Sequence, residues 1–265
     1  MLDLITPVIL TYNESQNIDR TLGKLGWARR VVVVDSGSTD GTLEMLGARK
    51  QVEVVHRRFT DFETQWNFAL SQAATLWVLS LDADYELSDE LIQELGALAP
   101  AASTIGYRAE FIYRIHGRPL RGSLYPPRVV LFRRGQASYR QEGHTQQLAI
   151  SGEVLTLQGK IFHDDRKPLA RWAASQQYYA REEADYLLRR PSLTRADRIR
   201  RLGWPAPVIV LFYVLLVKRC LFDGWPGWYY TLQRLIAEAL LALELADRRL
   251  RRDTAANESS PGARP

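Results

Sequence analysis

The chain has 265 residues, of which 46% are hydrophobic and 25% charged, with a net charge of +5; this excludes wholesale disorder and collagen-like repeats and is enough to bury a sizeable core. Its single cysteine, Cys220, excludes an intramolecular disulfide framework and any multi-cysteine zinc site. Charge is divided by region: residues 1–165 carry 17 Lys/Arg against 20 Asp/Glu, net −3, whereas residues 166–252 carry 17 against 8, net +9.

The first hundred residues alternate β-rich runs with helical patterns, the signature of βαβ units around a parallel sheet. Strands are predicted at Leu4–Leu10, Arg30–Val34, Val52–His56 and Leu76–Leu81, and helices near Glu14–Leu25, Thr39–Leu46, Asp61–Ala73 and Ser88–Leu98. Met1–Leu10 lacks the basic flank and small-residue cleavage site of a secretory signal, so the bulk of the chain is expected in the cytoplasm. From Gly106 to Phe162 the helical period gives way to short alternating runs separated by Gly and Pro, read as β-hairpins and loops.

A helix is predicted from Leu169 to about Arg189, followed by a basic segment, Arg195–Arg201. Leu202–Val217 then carries no charge and is closed by Lys218-Arg219. It is shorter than the roughly 18–20 apolar residues of a spanning helix. A further helix, Trp228–Leu250, ends in Arg248-Arg249-Leu250-Arg251-Arg252. A basic third of this kind suits nucleic acid, phosphorylated acceptors or an anionic membrane. The flanking Trp204, Trp225 and Trp228 favour the membrane, and no nucleic-acid-binding motif accompanies them. The expected organisation is an α/β domain over 1–165 (with halves 1–100 and 101–165), a membrane-associated helical region over 166–252 and a disordered tail over 253–265.

In a parallel sheet, ligands bind beyond the carboxyl ends of the strands. Asp35, at the end of the second strand, and Asp82-Ala83-Asp84, at the end of the fourth, should therefore face one site. The Asp-x-Asp spacing suits a hard cation, Mg²⁺ or Mn²⁺, that also takes substrate phosphates. Thr11, Tyr12 and Glu14 close the first strand at the same edge. The glycines of Asp35-Ser36-Gly37-Ser38-Thr39-Asp40-Gly41 permit tight turns, with Ser38, Thr39 or Asp40 capping the next helix.

Ile9-Leu10-Thr11-Tyr12-Asn13-Glu14, Val34-Asp35-Ser36-Gly37-Ser38-Thr39-Asp40-Gly41-Thr42 and Leu81-Asp82-Ala83-Asp84, in that order, resemble family 2 glycosyltransferases, as does Gln65-Trp66-Asn67-Phe68-Ala69-Leu70. The resemblance implies a GT-A fold, Rossmann-like, with a mostly parallel sheet and helices on both faces. It also implies a nucleotide-sugar donor, UDP by default, a divalent cation and inversion at the anomeric carbon. Under it Thr11, Tyr12, Glu14, Asp35, Gln65, Asn67, Asp82, Asp84 and Arg128 bind the donor, and Asp82, Asp84 and His163 hold the metal. Family members commonly have a doubled Asp where this chain has Asp35-Ser36.

An inverting transfer also requires a general base for the acceptor hydroxyl; Glu142, His144 and Asp164 are the candidates. In the lipopolysaccharide-core branch that the chain resembles, a His-Glu pair stands near the first two; here Thr145 follows His144. Leu221-Phe222-Asp223-Gly224-Trp225-Pro226-Gly227 resembles the membrane-associated end of that branch. The expected acceptor is a glycolipid, lipopolysaccharide or polysaccharide precursor at the inner face of the cytoplasmic membrane. The competing readings are a polyprenyl-phosphate glycosyltransferase, which needs no general base, and a catalytically inactive membrane-associated assembly subunit.

Overall fold

The computed structural model describes residues 1–142 and 145–258. It divides into two compact units, Met1–Lys167 and Pro168 onward.

The first unit is α/β and GT-A-like. Its elements are β1 (Ile5–Thr11), α1 (Ile18–Gly23), β2 (Val31–Asp35), α2 (Thr42–Gly47), β3 (Val52–His56), α3 (Phe62–Ser71), β4 (Trp77–Asp82), β5 (Tyr85–Leu87) and α4 (Asp89–Ala97). They are followed by β6 (Thr104–Ile115), β7 (Arg118–Pro119), β8 (Arg128–Arg133), β9 (Ala137–Glu142), β10 (Thr145–Ile150) and β11 (Glu153–His163). The main sheet runs β3-β2-β1-β4-β8-β6-β11-β5, with β7 paired to β6. Only its first four strands are mutually parallel; β8 is antiparallel to both β4 and β6, and β11 is parallel to β6 but antiparallel to β5.

The sheet is thus mixed rather than mostly parallel. Its second half is also less local than hairpins, since β6 and β11 pair across some fifty residues of chain, Thr104 against Glu153. Local alternation reveals strands but not long-range partners.

β1, β2 and β4 read as near-continuous apolar runs because both of their faces are covered. One face packs Ile18 and Leu22 of α1, Leu46 of α2 and Leu91 and Leu95 of α4 against Ile5, Ile9, Val31, Val33 and Leu79. The other packs Trp66 and Ala69 of α3 and Tyr139 of β9 against Val8, Val32, Val34 and Val78. α3 is capped by Asp61, which accepts the Thr64 N–H at 2.6 Å, and α4 by Ser88, which accepts that of Leu91 at 3.1 Å.

Two helices start later than their sequence pattern suggests. The backbone N–H of Glu14 goes to Thr42 Oγ1 and that of Ser15 to Asp40, while Asn13 is left-handed at φ 55°. Residues 14–16 therefore form a turn, and α1 begins at Ile18. Likewise the Thr39 N–H goes to Asn13 Oδ1 and Gly41 is left-handed at φ 91°, so α2 begins at Thr42.

The second unit is helical: α5 (Leu169–Arg189), α6 (Arg195–Leu202), α7 (Pro205–Phe212), a π-type turn (Tyr213–Val217), a 3₁₀ turn (Cys220–Asp223) and α8 (Trp225–Glu258). α5 and α8 meet through Ala180, Ala184, Leu187, Leu241 and Leu245. Arg200 bridges Glu183 at 2.5 Å and Glu238 at 3.1 Å. α6 opens with a reciprocal Thr194–Asp197 capping box. α8 runs through 253–258, which the sequence suggests as tail: Asp253-Thr254-Ala255-Ala256 is compatible with helix, and Thr254 Oγ1 bonds back to Leu250 O at 3.0 Å. Among the described residues, no helix is long and apolar enough to cross a membrane.

Candidate active site

Beyond the carboxyl ends of β1 and β2, Asp35 organises the loop that follows it. It is fully buried, and both oxygens are engaged: Oδ1 accepts the hydroxyls of Thr11, at 3.0 Å, and Ser38, and Oδ2 accepts the N–H groups of Gly37 and Ser38 at 2.8 and 2.9 Å. Gly37 is left-handed at φ 94°, which lets the backbone turn back onto the carboxylate. The exposed imidazole of His56 stands 3.8 Å from the same carboxylate. Asp40 serves the scaffold too, accepting Ser15 N–H and Oγ on one oxygen and Thr42 on the other.

At the end of β4, Asp82 is partly buried and Asp84 nearly so. His163, closing β11, approaches Asp84 Oδ2 with Nε2 at 3.2 Å. Burial opposes charge on both partners, and their attraction outweighs it, holding Asp84 below the ordinary carboxylate range and raising His163. Asp82 is pushed upward, first by burial and then by the neighbouring Asp84. Asp84 Oδ1 and His163 Nδ1 are buried without a hydrogen-bond partner among the described residues. Among these residues no group of three or more His, Cys, Asp or Glu side chains is placed so that it could hold a metal ion. By chemistry alone, two carboxylates, one with an unpartnered buried oxygen, and a nearby imidazole are donor types that Mg²⁺ or Mn²⁺ takes. Tyr85, Tyr113 and Tyr125 enclose the imidazole, with ring centroids 4.6–5.3 Å away.

The segment after β11 folds back onto the start of α1. Lys167 Nζ lies 2.8 Å from Glu14 Oε1 and 3.4 Å from Asp165 Oδ1. Asn17, 1% exposed, donates to Glu14 and Asp165 and accepts the Arg166 N–H. Burial raises Glu14 to about 7 despite its lysine partner. Asp164 is buried and takes two bonds from the Arg166 guanidinium, at 2.9 and 2.7 Å. Arg166 and Lys167 are thus both engaged by carboxylates.

Between Asp82 and the β9–β10 hairpin lies a cavity of about 340 Å³, lined among others by Trp66, Arg108, Arg128, Tyr139 and Gln146. The Arg128 guanidinium sits 4.8 Å above the Tyr125 ring. Tyr139 stacks on Trp66 at 5.0 Å and donates its hydroxyl to Ser80 Oγ at 2.9 Å. The hairpin is fastened to α3 by two side chains. Asn67 accepts the Tyr139 N–H at 2.8 Å and donates to its carbonyl at 2.9 Å, and Glu63 accepts the Gln141 N–H at 2.9 Å.

The structure brings Asp82 and Arg128 together at the cavity, and Asp84 with His163 beside it. Thr11 and Asp35 bond to each other, Tyr12 is exposed, and Glu14 faces Lys167. Gln65 is fully buried and donates to Ser36 Oγ and the Arg57 carbonyl. Asn67, expected at the donor, has both amide atoms committed to Tyr139 and is absent from the cavity wall. Asp164, a base candidate, is pinned by Arg166 beneath the surface. Glu142 ends β9 with its side chain outside the described residues, as is all of His144.

Sequence reading missed Asn17, Tyr85, Tyr125 and Tyr139. Asn17 stands three residues after Glu14 at a helix start, a recognisable signal for a side-chain pair; the tyrosines lie on separate strands and loops and carry no local signal.

A Rickettsia bellii protein described as an uncharacterized glycosyltransferase is 25% identical over 244 residues, covering 84% of this chain and 80% of that one. The lipopolysaccharide core biosynthesis glycosyltransferase LpsC of Rhizobium meliloti is 30% identical over 150 residues, covering 51% and 53%. The crystal structure of S. aureus TarS residues 1–349 in complex with UDP-GlcNAc aligns at 16% identity and TM-score 0.46, over 89% of this chain and 81% of that one. The family description "Glycosyl transferase family 2" matches residues 6–142, just over half of the chain, from Thr6 in β1 to the end of β9, and on that match the chain belongs to glycosyl transferase family 2.

Proposed function

We propose that the protein transfers a sugar, with inversion, from a nucleoside diphosphate sugar to a membrane-borne glycolipid, lipopolysaccharide or polysaccharide precursor, acting peripherally at the inner face of the cytoplasmic membrane. The observation that carries the reading is the cavity lined by both Asp82 and Arg128, beside which Asp84 pairs with His163. The likeness to LpsC supports a lipopolysaccharide-core acceptor. UDP is the nucleotide that the family resemblance implies.

Asp82 and Asp84, with His163, would hold Mg²⁺ or Mn²⁺, which when bound neutralises charge on the departing diphosphate. Arg128 sits where its guanidinium can hold a phosphate oxygen or a sugar hydroxyl near Asp82. Thr11, Asp35 and Ser38 shape the nucleotide pocket, Asp35 acting by fixing the loop. Trp66 and Tyr139 offer the cavity an aromatic wall of the kind on which sugar rings pack. Glu142, closing the strand that carries Tyr139, is the base that removes the acceptor hydroxyl proton.

The test is calorimetric titration of UDP and GDP, with and without Mn²⁺, into wild type and Asp84→Ala. Mn²⁺-dependent binding of one nucleotide, lost in the variant, is expected; absence of binding by folded wild type in every combination overturns the donor site and favours an inactive assembly subunit. For the base, Glu142→Gln is expected to lower kcat by about 10²–10⁴ with nucleotide binding unchanged. Full activity in that variant would instead point to a lipid-phosphate acceptor, which needs no base.

A further inference from the structure

From Arg198 to Phe222 the chain carries five charges, Arg198, Arg200, Arg201, Lys218 and Arg219, all positive; no acid occurs between Asp197 and Asp223. This segment and the start of α8 fold into a corner. Arg219 and Gly224 are left-handed at φ 60° and 62° and reverse the chain on either side of the 3₁₀ turn. The corner is held shut at Gly227, where a Cβ would fall 1.9 Å from the Cys220 carbonyl oxygen. Ala206, Val214, Leu215, Cys220 and Tyr230 fill its interior.

The large side chains left outside are apolar: Phe212 is 56% exposed, Val217 63%, Phe222 66%, Trp204 78% and Trp225 85%. They sit on closely packed elements rather than on a loose tail. Beside them runs an open groove of about 460 Å³, apolar along Leu202, Trp204, Pro207 and Leu243 and ending at Arg249. Exposed apolar surface on this scale marks a docking face, and its chemistry selects the occupant. Tryptophans among cations match the boundary between acyl chains and anionic headgroups. A second copy fits less well, because in a two-fold interface Lys218 and Arg219 of both copies would have Asp223 as the one acid of the corner to pair them.

We propose that this corner is a lipid-docking wedge that inserts Phe222 and Trp225 into one leaflet of an anionic bilayer, with Lys218 and Arg219 on the headgroup phosphates. The wedge enters the leaflet without crossing it. It deepens, and rests on, the reading of a membrane-borne acceptor, yet its test involves no sugar transfer.

The full chain is sedimented with vesicles of phosphatidylcholine alone or mixed at about three to one with phosphatidylglycerol, at ~0.1 M and ~0.5 M salt. Binding is expected only to the anionic vesicles at low salt, with a residue surviving high salt because the apolar contribution is unscreened. Phe222→Ser/Trp225→Ser should lower partitioning roughly 30- to 100-fold at both salts. Lys218→Gln/Arg219→Gln should lower it about 10-fold at low salt and little at high salt. Both double variants should keep the wild-type circular dichroism spectrum and UDP titration. Failure of wild type to bind either vesicle, or unchanged partitioning in Phe222→Ser/Trp225→Ser, overturns the wedge. So does a dimer in solution that this pair dissociates, which would make a second copy the occupant. UDP binding without vesicle binding overturns the wedge alone, whereas vesicle binding without UDP binding overturns the donor site and leaves the wedge standing.

Discussion

The two units place their charges and their apolar residues in opposite ways. In the first, apolar side chains are inside and an unusual number of charges are inside with them: Asp35, Asp84, Asp164, Glu14 and Lys167 are all buried or nearly so. In the second, large apolar side chains stand outside, and part-buried charges such as Arg200, between Glu183 and Glu238, are held by acids of neighbouring helices. Burying a carboxylate costs several kcal/mol unless it is paired or finds a ligand. Asp35 recovers that cost through four bonds, three from its own loop and one from Thr11 of β1, whereas Asp84 retains an oxygen with no hydrogen-bond partner among the described residues. On the proposed reading, the first unit presents polar groups to a polar ligand and the second presents apolar groups to a lipid surface.

The contrast is broken most directly at the cluster. Asp84→Asn should lower transfer by about 10³ or more, some 4 kcal/mol of barrier, while leaving vesicle sedimentation unchanged; a fall of less than tenfold would remove Asp84 from the site. Next comes Gly227→Ala. Its methyl would drive Cys220 and α8 apart, at about 3 kcal/mol, and should be read as a lower melting temperature and weakened vesicle binding with an unaltered UDP titration.

A smaller effect, and a pH-dependent one, is expected at Glu14. Its folded pKa, about 7, lies above the ordinary value, so the stability this group contributes is complete below about pH 4.5 and is lost as pH rises through 7. Glu14→Gln should therefore gain on wild type by on the order of 1–3 kcal/mol between pH 5 and 8, measured by denaturant unfolding. A stability difference flat across that range would contradict the assignment. The least effect belongs to Arg251→Ala on α8, whose exposed i, i+4 pair with Asp247 should contribute only a few tenths of a kcal/mol.

Much of the first unit is legible in the sequence because function and folding coincide there: the runs Ile5–Thr11, Val31–Asp35 and Trp77–Asp82 are apolar until the residue that leaves the sheet, and that residue is polar. The sheet order past β4 is not legible, since β8 enters between β4 and β6 through pairings such as Val78 with Phe132, fifty-four positions apart. At the site, the carboxylates are readable from spacing but their allegiances are not. Nothing local says that Asp35 turns inward to its loop, that Asn67 is spent on Tyr139, or that Lys167 reaches back to Glu14. The helix starts are similar, decided by Thr42 accepting the Glu14 N–H and Asn13 accepting the Thr39 N–H, each from a separate turn.

Glu63 and Asn67 are four residues apart on α3, about 6 Å of helix rise, and they grip Gln141 and Tyr139, two residues apart on a strand, about 6.6 Å. The two pitches match like the teeth of a rack and its gear, so the strand can seat in one register only. A slip by one residue would unseat both contacts and turn the Tyr139 ring away from Trp66. Chain added or removed beyond Gln141 would leave this coupling untouched. The length and chemistry of the chain past Gln141 can thus change while the cavity wall that Tyr139 provides stays fixed.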